Sequence, residues 1–578
     1  MMQIHIYAQQ GDIAGVAREI ANGVDIDCLE EDNWQTPLMY ALNSPNAGSD
    51  MIRFLLQHGA NVNAVEPEPE HTVLELAVQS GNVEKVGLIL DTGADINYRR
   101  RGEYDVLIDA MSGRDILQDE NLIETLSLLI SRGASVNGMS SYGETAIKVA
   151  AHVGRFDAVQ LLLNAGANLE QLGWTQLMYA IVFEGLEQVQ SLLEQGADQN
   201  VRDCWNRTPW LLSIQVGELP KVKLLLAAGA NYNERGNCGQ TPLMYAIGNN
   251  RVEVLQWLIA EGCDVEATDD FGNTALMMAA ERGATDCVRI LLEAGANAGR
   301  ADNYDNRAIK MATNLEIVRM LVAAGEDLSD INDDMRRLLT GINRSTFSLS
   351  KLSPEQYFAD KHPRFGRTNP ELMEIPFWQA MIREGCSAYT AKQLFDDTEN
   401  WQDLAWCYQR FGRTITQLPD GRVIEIAGEH EDYYDPDFCI YNDVVVYQGD
   451  GNFQIFGYPE DVFPPTDFHS ATLVGEDIYI IGNLGYVDAR IYYETPVYRL
   501  HCHTLKIDKI ETTGDKPGWI SRHKAYYKEP NQIYITGGKL WLMNDETSEY
   551  IDNSVDYVLD LIKLTWSRVC LTESKLWL

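Results

Sequence analysis

The hexapeptide TPLMYA stands at residues 36–41 and again at 241–246, with degenerate copies between and beyond them. Aligning the first residues of these blocks gives Thr36, Thr72, Asp105, Thr145, Thr175, Thr208, Thr241, Thr274 and Arg307, at spacings of 36, 33, 40, 30, 33, 33, 33 and 33. A fixed period of this size restricts the chain to a repeat array, because each unit must bury its apolar face against the next. A second block closes most units, as in HGANVN from His58, TGADIN from Thr92, AGANYN from Ala228 and AGANAG from Ala294. Thr suits a helix N-cap and Pro the first helical turn, where no N–H is needed. The Gly of the second block supplies the left-handed residue that stops the second helix of the unit. Runs between the blocks, such as CVRILLEAG from Cys287, are apolar at helical spacing. Each unit therefore reads as helix, turn, helix and projecting loop.

The T-P-L-x-x-A block, the G-A-[DN] close and the 33-residue period resemble the ankyrin repeat family over residues 1–330. That resemblance implies an α solenoid of about ten units, nine with an aligned block plus a degenerate opening segment to Asp27. Insertions fall at residues 44–50 and 112–122, and the unit starting near Gln171 is short, having lost residues from its projecting loop.

Beyond the array, residues 331–407 read as a linker and helical connector. Ser353-Pro354-Glu355-Gln356 has the form of a capping box, and PFWQAMIREG and AYTAKQLFD suit two short helices. From residue 408 to 578 the texture changes to short apolar or alternating runs between turn residues, the pattern of strands and hairpins. Gly428, Gly482 and Gly537 end three similar strands at intervals of 54 and 55. Three such repeats resemble the kelch family, which implies a small all-β domain built as a partial β-propeller. The combination resembles a bacterial ankyrin and kelch arrangement.

The chain carries 85 acidic against 46 basic residues, a formal net charge of −39. A field of that sign repels phosphate backbones and anionic lipid, so neither direct nucleic-acid binding nor membrane binding is expected, and it steers a basic protein partner inward. The ten cysteines contain no C-x-x-C pair, the start lacks a basic and then apolar leader, and no apolar run approaches membrane-spanning length. A cytoplasmic protein is expected.

No nucleophile elbow, zinc-helix motif, Walker loop or dinucleotide fingerprint occurs, so no catalytic residue, metal site or cofactor is assigned and the chain is read as noncatalytic. The segment 428–438 concentrates Glu429, His430, Glu431, Asp432, Asp435 and Asp437. It is either an acidic loop between strands or a metal or acid-base site near His430, the latter making the array a substrate recruiter for an enzyme. Its spacing matches neither a calcium loop nor a zinc signature, which favours the loop. His469 and His523 occupy equivalent places in successive repeats, so a shared structural task is expected. In the array, Trp34, Tyr142, Trp174, Trp205, Phe271 and Tyr304 precede the repeated block by a few residues. The resemblance places them along the rim of a concave groove, where rigid aromatics act as protein-binding anchors. The functional expectation is a protein-binding scaffold for a partner of basic character, in a toxin-neutralising or regulatory role.

Overall fold

The computed structural model describes residues 3–30, 34–67, 70–111, 119–342, 349–397, 403–430, 437–544 and 547–569. Most of the insertion at 112–122 lies outside them, as do Glu431, Asp432 and Asp435. The chain divides into two compact units, one of residues 1–279, 286–297 and 301–305, the other of 280–285, 298–300 and 306–578.

In the first unit the repeated block does what its residues dictate. Thr36, Thr208 and Thr274 accept from the backbone N–H three residues on, at 3.4, 3.4 and 3.2 Å. Thr72 forms a reciprocal capping box with Glu75, and Asp105 caps by accepting from Leu107 and Ile108. The block at Arg307 begins a helix without a side-chain cap. Pairs of helices, such as Val73–Gln79 with Val83–Asp91 and Pro209–Val216 with Leu219–Ala227, make up the solenoid. One apolar core cluster runs from Ile4 to Leu172, and burial continues through Leu177, Met178, Ala180 and Ile181 of the short unit.

In the second unit the helices Ala308–Met311, Leu315–Ala323, Asp333–Thr340, Pro354–Asp360, Pro376–Glu384 and Ala388–Leu394 come ahead of every strand but Glu371–Leu372, and the capping box at Ser353 and Gln356 forms as its residues imply. One sheet orders Glu371–Leu372, Phe453–Gly457, Val444–Tyr447, Val423–Ile426 and Thr414–Gln417. A second orders Ile507–Lys509, Val497–His501, Asp477–Ile481 and Ser470–Val474. A third orders Thr513–Gly514, Thr565–Arg568, Tyr557–Asp560, Gln532–Thr536 and Lys524–Lys528, and it is mixed, because its first pair is parallel. Trp519–Ser521, Lys539–Asn544 and Thr547–Asp552 form a smaller sheet.

This arrangement overturns the kelch-like, partial-propeller expectation. The sheets are open, one is mixed, and they do not close into a ring. The physical reason lies in which faces are apolar. Ile478 and Ile480 turn one face of the second sheet onto Ile424, Ile426, Val444 and Val446 of the first. Tyr479 and Ile481 turn its other face onto Ile533, Ile535 and Leu559 of the third. Closure would require the far face of the first sheet to meet the last. That face instead carries Glu425 and Tyr447, joined to each other at 2.9 Å, and Glu425 lies beside Arg336 of the helix Asp333–Thr340 at 3.6 Å. The backbone N–H of Ile415, on the edge strand, donates to Ser329 Oγ at 3.0 Å.

Candidate functional site

The projecting loops of the array are built by short side-chain turns, each followed by an aromatic residue. The carboxylates of Asp203, Asp269 and Asp302 each accept from the N–H two residues on, which belongs to Trp205, Phe271 and Tyr304 at 2.9, 2.9 and 2.8 Å. Ser140 holds Tyr142 the same way at 3.3 Å. The residue just before each aromatic donates to the preceding loop: Ser141 to Gly102 O, Cys204 to Leu172 O, Asp270 to Cys238 O and Asn303 to Phe271 O, at 2.8 to 3.0 Å. Asp and Ser suit such turns because their short side chains reach their own backbone two residues on.

The six aromatics then part into two groups. Tyr142, Tyr304, Trp34 and Phe271 stay in solvent, with 78%, 71%, 53% and 45% of their surfaces exposed. Trp205 and Trp174 are half-buried and engaged within the array. The indole N–H of Trp205 donates to Lys148 O at 2.8 Å, and its ring lies 4.2 Å from that of His152. The indole N–H of Trp174 donates to Asp203 Oδ2 at 3.2 Å.

Trp205 belongs to a larger clamp that the sequence did not reveal. The helix Ala146–Val153 ends in four carbonyls with no partner inside the helix. Gly154 N–H takes that of Ala150, Arg207 Nη1 that of Ala151 at 2.7 Å, Gln215 Nε2 that of His152 at 2.8 Å and Asn249 Nδ2 that of Val153 at 3.0 Å. Three of these donors come from units two and three further along the chain. They can reach because the short unit between has replaced its loop by a single 3-10 turn, Leu169–Leu172. Arg207 is fully buried and paired with Asp203 at 2.6 Å. The 30-residue spacing was the one sign of this irregularity in the sequence.

The acidic segment of the second unit has a different character. Glu429–His430 is a short strand paired with Cys439–Ile440, which buries His430. Asp437 accepts from the buried Lys392 at 2.6 Å, so that carboxylate is already neutralised by a protein cation. Among the described residues no group of three or more His, Cys, Asp or Glu could hold a metal ion. His469 Nε2 and Thr414 Oγ1 share a hydrogen bond of 2.8 Å, and His523 Nε2 and Ser470 Oγ share another of 2.8 Å. Each histidine thus ties the start of one strand to the segment leading into the next repeat. Burial pushes His469 down to about 3, with His523 adding repulsion, and burial pushes His523 down to about 4.

None of the nine described cysteines is in a disulfide, and burial raises Cys386 to about 12 and Cys204 to about 11, so these thiols are protonated at neutral pH. Among the described residues no helix is long and apolar enough to cross a membrane.

The family model for ankyrin repeats, a three-copy unit, matches residues 4–100, 116–203, 177–269 and 253–332, together more than half of the chain. Among curated relatives, the human "Ankyrin repeat and SOCS box protein 6" is 32% identical over 123 residues, covering 20% of this chain and 28% of the relative. The "Palmitoyltransferase AKR1" of Lachancea kluyveri is 28% identical over 203 residues, covering 34% of this chain and 27% of the relative. The ankyrin repeat protein YahD of Escherichia coli K12 is 28% identical over 190 residues, covering 31% of this chain and 90% of the relative. The chain thus spans little more than a quarter of the length of the first two relatives.

Proposed function

The chain belongs to the ankyrin repeat family, and from that premise we propose that its array is a noncatalytic scaffold whose loop tips bind a basic protein partner. An ankyrin architecture is consistent with a protein-interaction scaffold. The observation that carries the finer reading is the set of exposed aromatics, Trp34, Tyr142, Phe271 and Tyr304, of which the last three are held by side-chain turns. A large exposed ring on a pre-organised loop is favourable for binding, since little conformational entropy remains to be lost on contact. The net charge of −39 favours encounter with a cationic surface and selects against acidic ones. Trp174 and Trp205 serve this surface by holding the array around the short unit, although both belong to the same run of loop residues. In the form we propose, the array covers the cationic face of a basic toxin or nuclease, or of a regulated basic protein.

The test is capture of partners by the full chain from cells of its source, with wild type beside a Tyr142→Ala, Tyr304→Ala variant. Truncating two central anchors costs about 2 kcal/mol or more each at an interface, against about 0.5 kcal/mol or less of stability at an exposed loop. We expect a basic protein to be retained by wild type and lost from the variant, while the thermal midpoint is unchanged. A partner retained equally by both, or one bound only by residues 408–578, overturns the reading.

A further inference from the structure

The loop lost from the short unit leaves a half-open pocket of about 380 Å³ beside the helices Gln176–Phe183 and Leu186–Glu194. Its lining includes Leu169, Trp174, Tyr179, Glu184, Gln188 and Leu192. The ring of Phe183 backs the two aromatic walls, 6.1 Å from Trp174 and 5.1 Å from Tyr179. Leu177, Met178, Ala180 and Ile181 of the first of these helices are buried, so the opening lies on the outer side of a packed layer.

The chemistry of the lining narrows what fits. Trp174 has already committed its N–H to Asp203, so the indole offers the pocket aromatic surface and no donor. Aromatic faces carry negative potential and attract cations. Glu184 is exposed at the end of its helix, and among the described residues no cation pairs with it. Leu169 and Leu192 supply apolar surface suited to a methylene stem. Two aromatic side chains, one carboxylate and two leucines, beside the neutral amides of Gln176 and Gln188, therefore complement a positive charge carried on an aliphatic chain better than an anion.

We propose that this pocket receives the ε-ammonium end of a lysine side chain on the partner. The inference rests on the protein-binding reading above and adds to it the residue that the array recognises. It also places Trp174 at a contact separate from the exposed loop tips.

The probe is the tripeptide acetyl-Gly-Lys-Gly-amide, titrated into the full chain carrying ¹⁵N-labelled indoles, against the same peptide with an acetylated lysine ε-amine at equal ionic strength. The Trp174 indole resonance is identified by its disappearance in Trp174→Phe. We expect it to shift saturably with the lysine peptide, and with an affinity lower by about fivefold or more for the acetylated one, the scale of a cation–aromatic contact. Glu184→Gln, a surface change that leaves the fold intact, should weaken the lysine peptide by a similar factor. Equal responses to the two peptides, no response at Trp174, or indifference to Glu184→Gln each overturns the pocket. The titration needs no partner, so the pocket can fail while capture through Tyr142 and Tyr304 persists. Capture can likewise fail while the titration succeeds.

Discussion

Gly229 shows how little local geometry leaves to choice. Its φ of +102° ends the helix Leu219–Ala227, and an added Cβ there would meet no atom within 4 Å. A substitution therefore pays only for backbone strain, and Gly229→Val is expected to lower stability by about 1 kcal/mol or more in chemical unfolding. The buried histidines carry a pH dependence whose sign follows from their surroundings. His469 and His523 ionise at about 3 and about 4 when folded, against about 6.5 in the unfolded chain, so unfolding takes up protons. Their contribution is whole above about pH 6.5 and is lost as the pH falls toward 4, at a slope of about 1.4 kcal/mol per pH unit for each group. Urea unfolding between pH 7 and pH 5 measures that slope, and His469→Gln and His523→Gln should each remove one proton from it. That the two histidines share a structural task was legible in their equivalent places in the sequence. Their partners, Thr414 and Ser470, were not, because each lies more than fifty residues away and no local pattern marks it.

Helices in the array follow their caps, yet one helix depends on residues far along the chain. The carbonyl end of Ala146–Val153 is satisfied by Arg207, Gln215 and Asn249, so its stability is tied to the packing of later units. Replacing Arg207 by Met would leave the fully buried Asp203 without its cation and free the carbonyl of Ala151. A loss of about 3–5 kcal/mol is expected for breaking one side of such a buried pair. The double change Asp203→Leu, Arg207→Met should recover part of it, and equilibrium denaturation of the two variants beside wild type measures both. The helix and its Thr145 cap were readable from spacing alone. The clamp was not, since a hydrogen bond to a main-chain carbonyl leaves no mark on the residue that accepts it. Reading Trp174 and Trp205 together with Tyr142 and Tyr304 was natural for the same reason: all stand ahead of a repeated block, and burial alone separates them.

Across the whole chain, residues 306–340 pack with the β sheets in one compact unit. Burial would raise the carboxyl of Glu425, but Arg336 and Arg413 outweigh it and hold it below its ordinary value. A fragment of residues 306–578 is therefore expected to unfold in one cooperative step, whereas 341–578, lacking Arg336 and Ser329, should be markedly less stable by thermal circular dichroism and quicker to be cut by protease. Equal stability of the two fragments would show that the ties at Glu425 and Ile415 contribute nothing. By itself the sequence determined the array, because a 33-residue period with a cap at one end and a glycine at the other uses only near-neighbour interactions, which repeat as the residues do. It also determined the presence of strands beyond residue 408, since alternation is local. Whether those sheets closed was decided only in the tertiary structure. Closure depends on what each outer face meets, and the face bearing Glu425 and Tyr447 met a charged helix rather than another sheet.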